Sequence, residues 1–105
     1  MTNKSRKERI EEMLAEDPDD PFLRYGLAME YVGAGQHGEA ADCLRELLRL
    51  NPEYVPAYYQ AGKTLIELGR EDEARAVLRS GMAVAGRKGD AHAAGEMEAL
   101  LDSVG

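Results

Sequence analysis

The sequence predicts an all-α protein built from stacked, antiparallel helix pairs, and three observations carry that prediction. Its 105 residues contain fifteen Ala and twelve Leu against five Val, two Ile and two Thr. Ala and Leu lose little freedom in a helix, whereas β-branched residues lose more, so a sheet protein is disfavoured. Apolar residues recur at helical rather than alternating spacing, and glycine or proline interrupts them at short intervals. Finally, the chain matches itself at a lag of 34 residues. Tyr25 falls on Tyr59, Gly35 on Gly69, Glu39-Ala40 on Glu73-Ala74 and Leu44-Arg45 on Leu78-Arg79. The same lag runs backwards, pairing Pro18 with Pro52, Leu14 with Leu48 and Glu12 with Glu46. A fixed period of this length is the mark of a repeat architecture.

The elements follow in order. Residues 1–4 read as a flexible tail. Ser5-Arg6-Lys7-Glu8 is a capping box that opens a leading helix over 5–16, with Ile10, Met13 and Leu14 apolar. By register it is the second half of an otherwise missing pair, with Ile10 and Met13 where Leu44 and Leu47 stand later. The first full repeat spans 20–52. Asp20 caps its first helix and Pro21 suits the opening position, where no N–H is needed. Leu23, Leu27 and Tyr31, with Tyr25, Ala28 and Val32, keep helical spacing until Gly33-Ala34-Gly35 breaks it. The second helix runs from about Gly38 to Leu50 and ends at Asn51-Pro52. The repeat over 54–86 follows the same plan: a helix from Val55 to Leu68, a turn at Gly69-Arg70, and a helix from Glu71 to Ala85. Glu71 and Arg75 are spaced for an i,i+4 ion pair. Gly89-Asp90 opens a capping helix over 90–104 with Ala94, Met97, Leu100, Leu101 and Val104 apolar. Small residues are expected where paired helices approach closely: Ala28 and Gly62 on the first helices, with Ala40 and Ala74 facing them.

This pattern resembles the tetratricopeptide repeat, a helix–turn–helix unit of the same period. The signature positions are Arg24, Leu27, Ala28, Tyr31, Ala40, Leu44, Leu47 and Pro52 in the first repeat. In the second they are Tyr58, Ala61, Gly62, Leu65, Ala74, Leu78, Gly81 and Gly86. Arg24 stands where an aromatic is usual, and Gly86 replaces the closing proline. The resemblance implies a right-handed α–α superhelix whose first helices line a concave, peptide-holding surface. Carried onto this chain, the groove positions are Phe22, Tyr25 and Met29 from one repeat and Tyr59, Gln60 and Lys63 from the next. Tyr25 and Tyr59 occupy the same repeat position and are expected side by side. Chaperone-binding members hold a carboxylate in a clamp of Lys, Asn and Arg. The matching positions here are Tyr25, Met29, Gln60, Asp90 and Ala94, so that clamp is absent and a bound peptide is expected to be apolar or basic rather than acidic.

The residues offer no catalytic constellation. His37 and His92 have no second ligand at metal-binding spacing. Cys43 has no nearby histidine in sequence to activate it. Glu16-Asp17-Pro18-Asp19-Asp20 lacks the spacing, central glycine and distal glutamate of a calcium loop, and no glycine cluster follows a strand in the manner of a phosphate loop. No enzyme, metal or cofactor is therefore expected. The formal charge of −7 disfavours nucleic acid, and the basic run Lys4, Arg6, Lys7, Arg9 is interleaved with Glu8, Glu11 and Glu12. No run reaches the ~18 apolar residues of a membrane span. A single cysteine permits no internal disulfide, which fits a cytoplasmic protein. The leading expectation is a non-enzymatic module that binds a protein or peptide. The alternative is self-association into a homodimer through the leading or capping helix, because half a repeat leaves an apolar face that a second copy could cover.

Overall fold

In a computed structural model, residues 3–105 are described, and they form six α-helices with no strand among them. Of the expected tail, Met1 and Thr2 lie outside the described residues; Asn3, Lys4 and Ser5 precede the first helix. The helices are α1 (Arg6–Glu16), α2 (Pro21–Gly33), α3 (His37–Leu50), α4 (Val55–Glu67), α5 (Glu71–Arg87) and α6 (Ala91–Ser103). Each packs mainly on its chain neighbours, and α6 also rests on α4. The outcome is an elongated body of 50 × 28 × 20 Å, the shape of a row of helix pairs rather than a bundle.

Local chemistry sets the helix ends. Ser5 accepts from the Glu8 N–H at 3.1 Å while Glu8 accepts from the Ser5 N–H at 3.0 Å, completing the reciprocal cap of α1. Asp20 accepts from the N–H groups of Phe22 and Leu23 at 2.9 and 3.2 Å, and Asp90 from that of Ala93 at 3.0 Å. Three turns share one backbone solution. After α2, α4 and α5, a glycine (Gly35, Gly69 or Gly89) adopts φ of 73–75°. The next residue's N–H then reaches five residues back: Gln36 to Tyr31, Arg70 to Leu65, Asp90 to Ala85, at 2.8–2.9 Å. This is the Schellman closure, which needs a left-handed residue that glycine supplies without strain. The other two links repeat each other at the 34-residue lag. Asp17 and Asn51 donate to Met13 and Leu47, and Asp20 and Tyr54 donate to Asp17 and Asn51.

The core is layered along the row. Ala28, Leu44, Leu47, Ala57 and Ala61 form one layer between α2, α3 and α4. Val55, Tyr58, Leu78, Val84, Ala85 and Met97 form another between α4, α5 and α6. Close approach is tightest at two glycines. A Cβ on Gly62 would lie 2.6 Å from the Leu78 Cγ, and one on Gly81 would lie 2.6 Å from the Met97 sulfur and 2.8 Å from the Tyr58 Cγ. The lag makes Ala74 the expected partner of Gly62, but Leu78 supplies its nearest atoms, and Ala74 packs with Ala41 and Leu65 instead. The reason is helix geometry: Leu78 is one turn further along α5 from Ala74, and its longer side chain fills the space that the missing Cβ leaves.

Surface ion pairs tie neighbouring pairs together. Arg45 of α3 reaches Glu73 of α5, Arg87 meets Glu53 at 3.2 Å, and the Lys88 ammonium donates to the Glu53 carbonyl at 3.0 Å. Arg75 approaches Glu71 at 4.0 Å, as its spacing implied, and lies closer to Asp72, at 2.8 Å. The lag changes at the end of the chain. The residues before α2, α4 and α6 are Asp20, Tyr54 and Asp90, so the second spacing is two residues longer. Eight residues past these caps stand Ala28, Gly62 and Glu98. The first two are buried and Glu98 is exposed.

Candidate functional site

Two surface grooves border the helices that the sequence singled out, and they divide five of its six candidate residues. One, of about 360 Å³, is walled by Tyr25 of α2, Tyr59 and Gln60 of α4, and Asp90, His92 and Glu96 around α6. The other, of about 420 Å³, lies between α1 and α2 and is lined by Ile10, Met13, Phe22, Tyr25, Gly26 and Met29, with Arg6 and Arg9 also on its wall. Tyr25 belongs to both. Phe22 and Met29 face only the second, and Lys63 is exposed on α4 outside either.

The tyrosines are held rather than free. Tyr25 packs against the Ala28–Leu44–Leu47 layer, and its ring tilts 45° onto Tyr54 with centroids 5.6 Å apart. Its ring partner is thus Tyr54, and Tyr59 lines the same groove. Burial pushes the Tyr25 phenol above its ordinary pKa, and a hydrogen bond with the Gln60 side chain pulls it partly back. Tyr59 is half-buried against the layer that holds Tyr58 and Met97. Each ring therefore has one packed edge and one edge on the groove, a rigid apolar surface with a polar tip.

Charge on this groove has one dominant sign. Asp90 and Glu96 flank it, and His92 lies 3.3 Å from Glu96. Lys63 is the nearest cationic position on the same helix as Tyr59 and Gln60. Sequence reasoning found Asp90 but missed His92, Ala93 and Glu96 as groove residues. The two extra residues before α6 take that helix out of the 34-residue lag, so no internal match pointed to them. It also missed the wall that α1 contributes to the second groove, because Ile10 and Met13 read as core positions.

No metal-binding group of three or more His, Cys, Asp or Glu side chains occurs among the described residues. Cys43 is half-buried on α3 beside the Leu44 layer, and burial raises its thiol pKa, with Arg24 opposing that shift. A thiol held protonated is a poor nucleophile. No helix is long and apolar enough to cross a membrane.

Comparison with known proteins agrees with this architecture. A model of the tetratricopeptide repeat family matches residues 31–96. The TPR repeat-containing protein PA0015 of Pseudomonas aeruginosa is 34% identical over 94 residues, covering 90% of this chain and 90% of that protein. The solution structure of protein BPP2914 from Bordetella parapertussis is 33% identical, covers 97% of this chain and 89% of its own, and superposes with a TM-score of 0.84. The photosystem I assembly protein Ycf3 of Acaryochloris marina is 35% identical over 66 residues, which cover 62% of this chain and 40% of that protein. Tetratricopeptide repeats are in general protein–protein interaction modules. By its own 34-residue period, its helix pairs and these matches, the chain belongs to the tetratricopeptide repeat family.

Proposed function

We propose that this protein is a non-enzymatic binding module that holds an extended or helical peptide segment of a partner protein in the groove between α2, α4 and α6. The observation that carries this reading is the pair of half-packed rings, Tyr25 and Tyr59, beside the polar side chain of Gln60 on one groove wall. Aromatic side chains fixed at one edge offer contact area with little further ordering cost, which is what recognition surfaces favour. The family's use in photosystem I assembly, as the name of the Acaryochloris relative states, is in keeping with a protein partner. Asp90 and Glu96 favour a segment that is apolar or basic. A groove made by two repeats and a capping helix is short, so a dissociation constant near micromolar, roughly −8 kcal/mol, is expected for a single site.

The experiment is capture of partners from lysate of the source organism on the full chain, followed by titration of synthetic peptides from the captured protein. Tyr25→Ala with Tyr59→Ala should abolish capture while leaving the helical spectrum intact. Tyr59→Ala alone should weaken it. Neutralising Lys or Arg in the bound peptide should weaken binding further. Capture unaffected by the double variant would rule the groove out.

A further inference from the structure

The second groove has a different occupant. It lies one repeat before a surface that the protein itself covers. Adding 34 to Ile10, Met13 and Leu23 gives Leu44, Leu47 and Ala57, which form one buried layer with Ala28 and Tyr25 of α2. At those later positions a helix, α2, lies across α3. At the earlier ones no helix of the described residues does: α2 alone buries Ile10, and Met13 is 47% and Phe22 74% exposed. The groove is the seat that the first helix of a pair would take. By the same register, whatever fills it runs antiparallel to α1, as α2 runs antiparallel to α3.

The charge along α1 identifies a chain suited to that direction. Before Ile10 stand Lys4, Arg6, Lys7 and Arg9 with Glu8 the one acid; after it, as far as Asp20, every charged residue is acidic. A second α1 laid parallel would set like charges together; laid antiparallel it sets the basic first half against the acidic second half, with Glu12 at the centre paired to Lys4 of its own chain. The open face of the helix repeats this polarity at close range. Arg9, Glu12, Met13 and Glu16 line one depression on it. A two-fold axis between Glu12 and Met13 places Arg9 and Glu16 each about 5 Å from the axis along the helix, on opposite sides. Arg9 then faces the partner subunit's Glu16, and Glu16 the partner subunit's Arg9. Among the described residues neither has an ion-pair partner within the chain, whereas Lys4 pairs with Glu12 and Arg6 with Glu30 at 3.4 Å.

We infer that two copies of this protein pair through α1 about a two-fold axis, each α1 filling the seat between α1 and α2 of the other. Met13 and Phe22 form the apolar centre, and the Arg9–Glu16 contacts, made twice, fix the antiparallel sense. This is a symmetric interface, in which residue i meets j and j meets i. It is separate from the partner groove, since Tyr59, Gln60 and Glu96 take no part in it.

Sedimentation velocity of the full chain, from micromolar to millimolar concentration, tests the pairing. The wild type should form dimers. Arg9→Glu and Glu16→Arg should each raise the dimer dissociation constant about tenfold or more, because each puts like charges together at two symmetric contacts. Both changes agree with the helix dipole, and circular dichroism should show α1 retained. An equimolar mixture of the two variants should dimerise again. One copy then carries carboxylates at both positions and the other guanidinium groups at both, so each contact across the axis is again a pair of opposite charges. The double variant Arg9→Glu/Glu16→Arg should also recover. A wild type that stays monomeric at every concentration overturns the inference. So does a dimer that neither variant weakens, or variants that fail to rescue one another when mixed. None of these outcomes alters the peptide-capture result with Tyr59→Ala, so the two readings fail separately.

Discussion

Glycine at position 81 does a job no other residue can do without rearrangement. A Cβ there would press on both Tyr58 and Met97, which are 7% and 0% exposed and have no room to retreat. Gly81→Ala should therefore destabilise the protein by about 1–3 kcal/mol, read as a lower urea midpoint at unchanged slope. Gly95, inside α6, is the control: a Cβ there meets nothing within 4 Å and its backbone is helical. Gly95→Ala should raise stability by about 0.5–1 kcal/mol, because alanine loses less freedom than glycine in a helix. The same substitution thus changes sign between two neighbouring helices. Cys43 supplies a second test. Its thiol pKa is raised by burial, so alkylation by iodoacetamide near pH 8 should be slower than for free cysteine, recovering on denaturation. At this scale the sequence was legible where residue size repeats. The smallness of Ala28 and Gly62 recurs at the lag and marks a close approach. Which atom fills that space is set by the length of Leu78, and the lag carries no information about length. The Tyr25–Tyr54 contact escaped for a similar reason, since Tyr54 lies in a link between pairs rather than on a periodic helix face.

The helices differ in how well they are held, and α1 is held least. It packs mainly on α2, while α4 has α3, α5 and α6 as neighbours. At concentrations where the chain is monomeric, amide hydrogen exchange should therefore show α1 opening at much lower free energy than α4 and α5, in the graded manner of repeat proteins. What fixes its first turn is the Ser5–Glu8 exchange of hydrogen bonds. The backbone and then the side chain of Ser5 hold the Glu8 carboxyl below the usual glutamate range. A depressed folded-state pKa contributes stability above the unfolded value and loses it as pH falls through the folded value. Acidification should accordingly fray α1 before the rest of the molecule. Ser5→Ala keeps the backbone N–H that donates to Glu8 and removes only the hydroxyl. It should therefore lessen that pH dependence and speed exchange in α1 at neutral pH, with no change in α5; Glu8→Gln should abolish the dependence. Helix starts were readable because caps are local: Ser5, Asp20 and Asp90 accept from the N–H groups that the sequence rules require. The end of α5 was less so. It continues to Arg87, past Gly86, because the stop comes from the left-handed Gly89 rather than from a proline.

For the whole molecule, the 34-residue lag foretold the row of helix pairs, and the row in turn explains why the grooves lie where they do. Only part of each groove was readable, because each has a wall from an element that the lag does not mark. The contributions of α6 to one groove and α1 to the other come from the ends, where a repeat architecture departs from its own rule. Those ends are unlike each other, and the difference sits largely in one side chain. Glu98 occupies, at the last first-type helix, the place of Ala28 and Gly62, where the second helix of a pair must come close. Two genes of this chain joined end to end would bring α6 of the first copy against α1 of the next, setting Glu98 where Gly62 stands and Ile10 where Leu78 stands. Such a fusion should not merge into one longer rod. Its two halves should melt together at the temperature of a single copy, whereas Glu98→Ala at the seam should let them reinforce each other and raise the midpoint. A lone carboxylate thereby makes the outer face of α6 a poor seat for a further helix, however readily the motif duplicates.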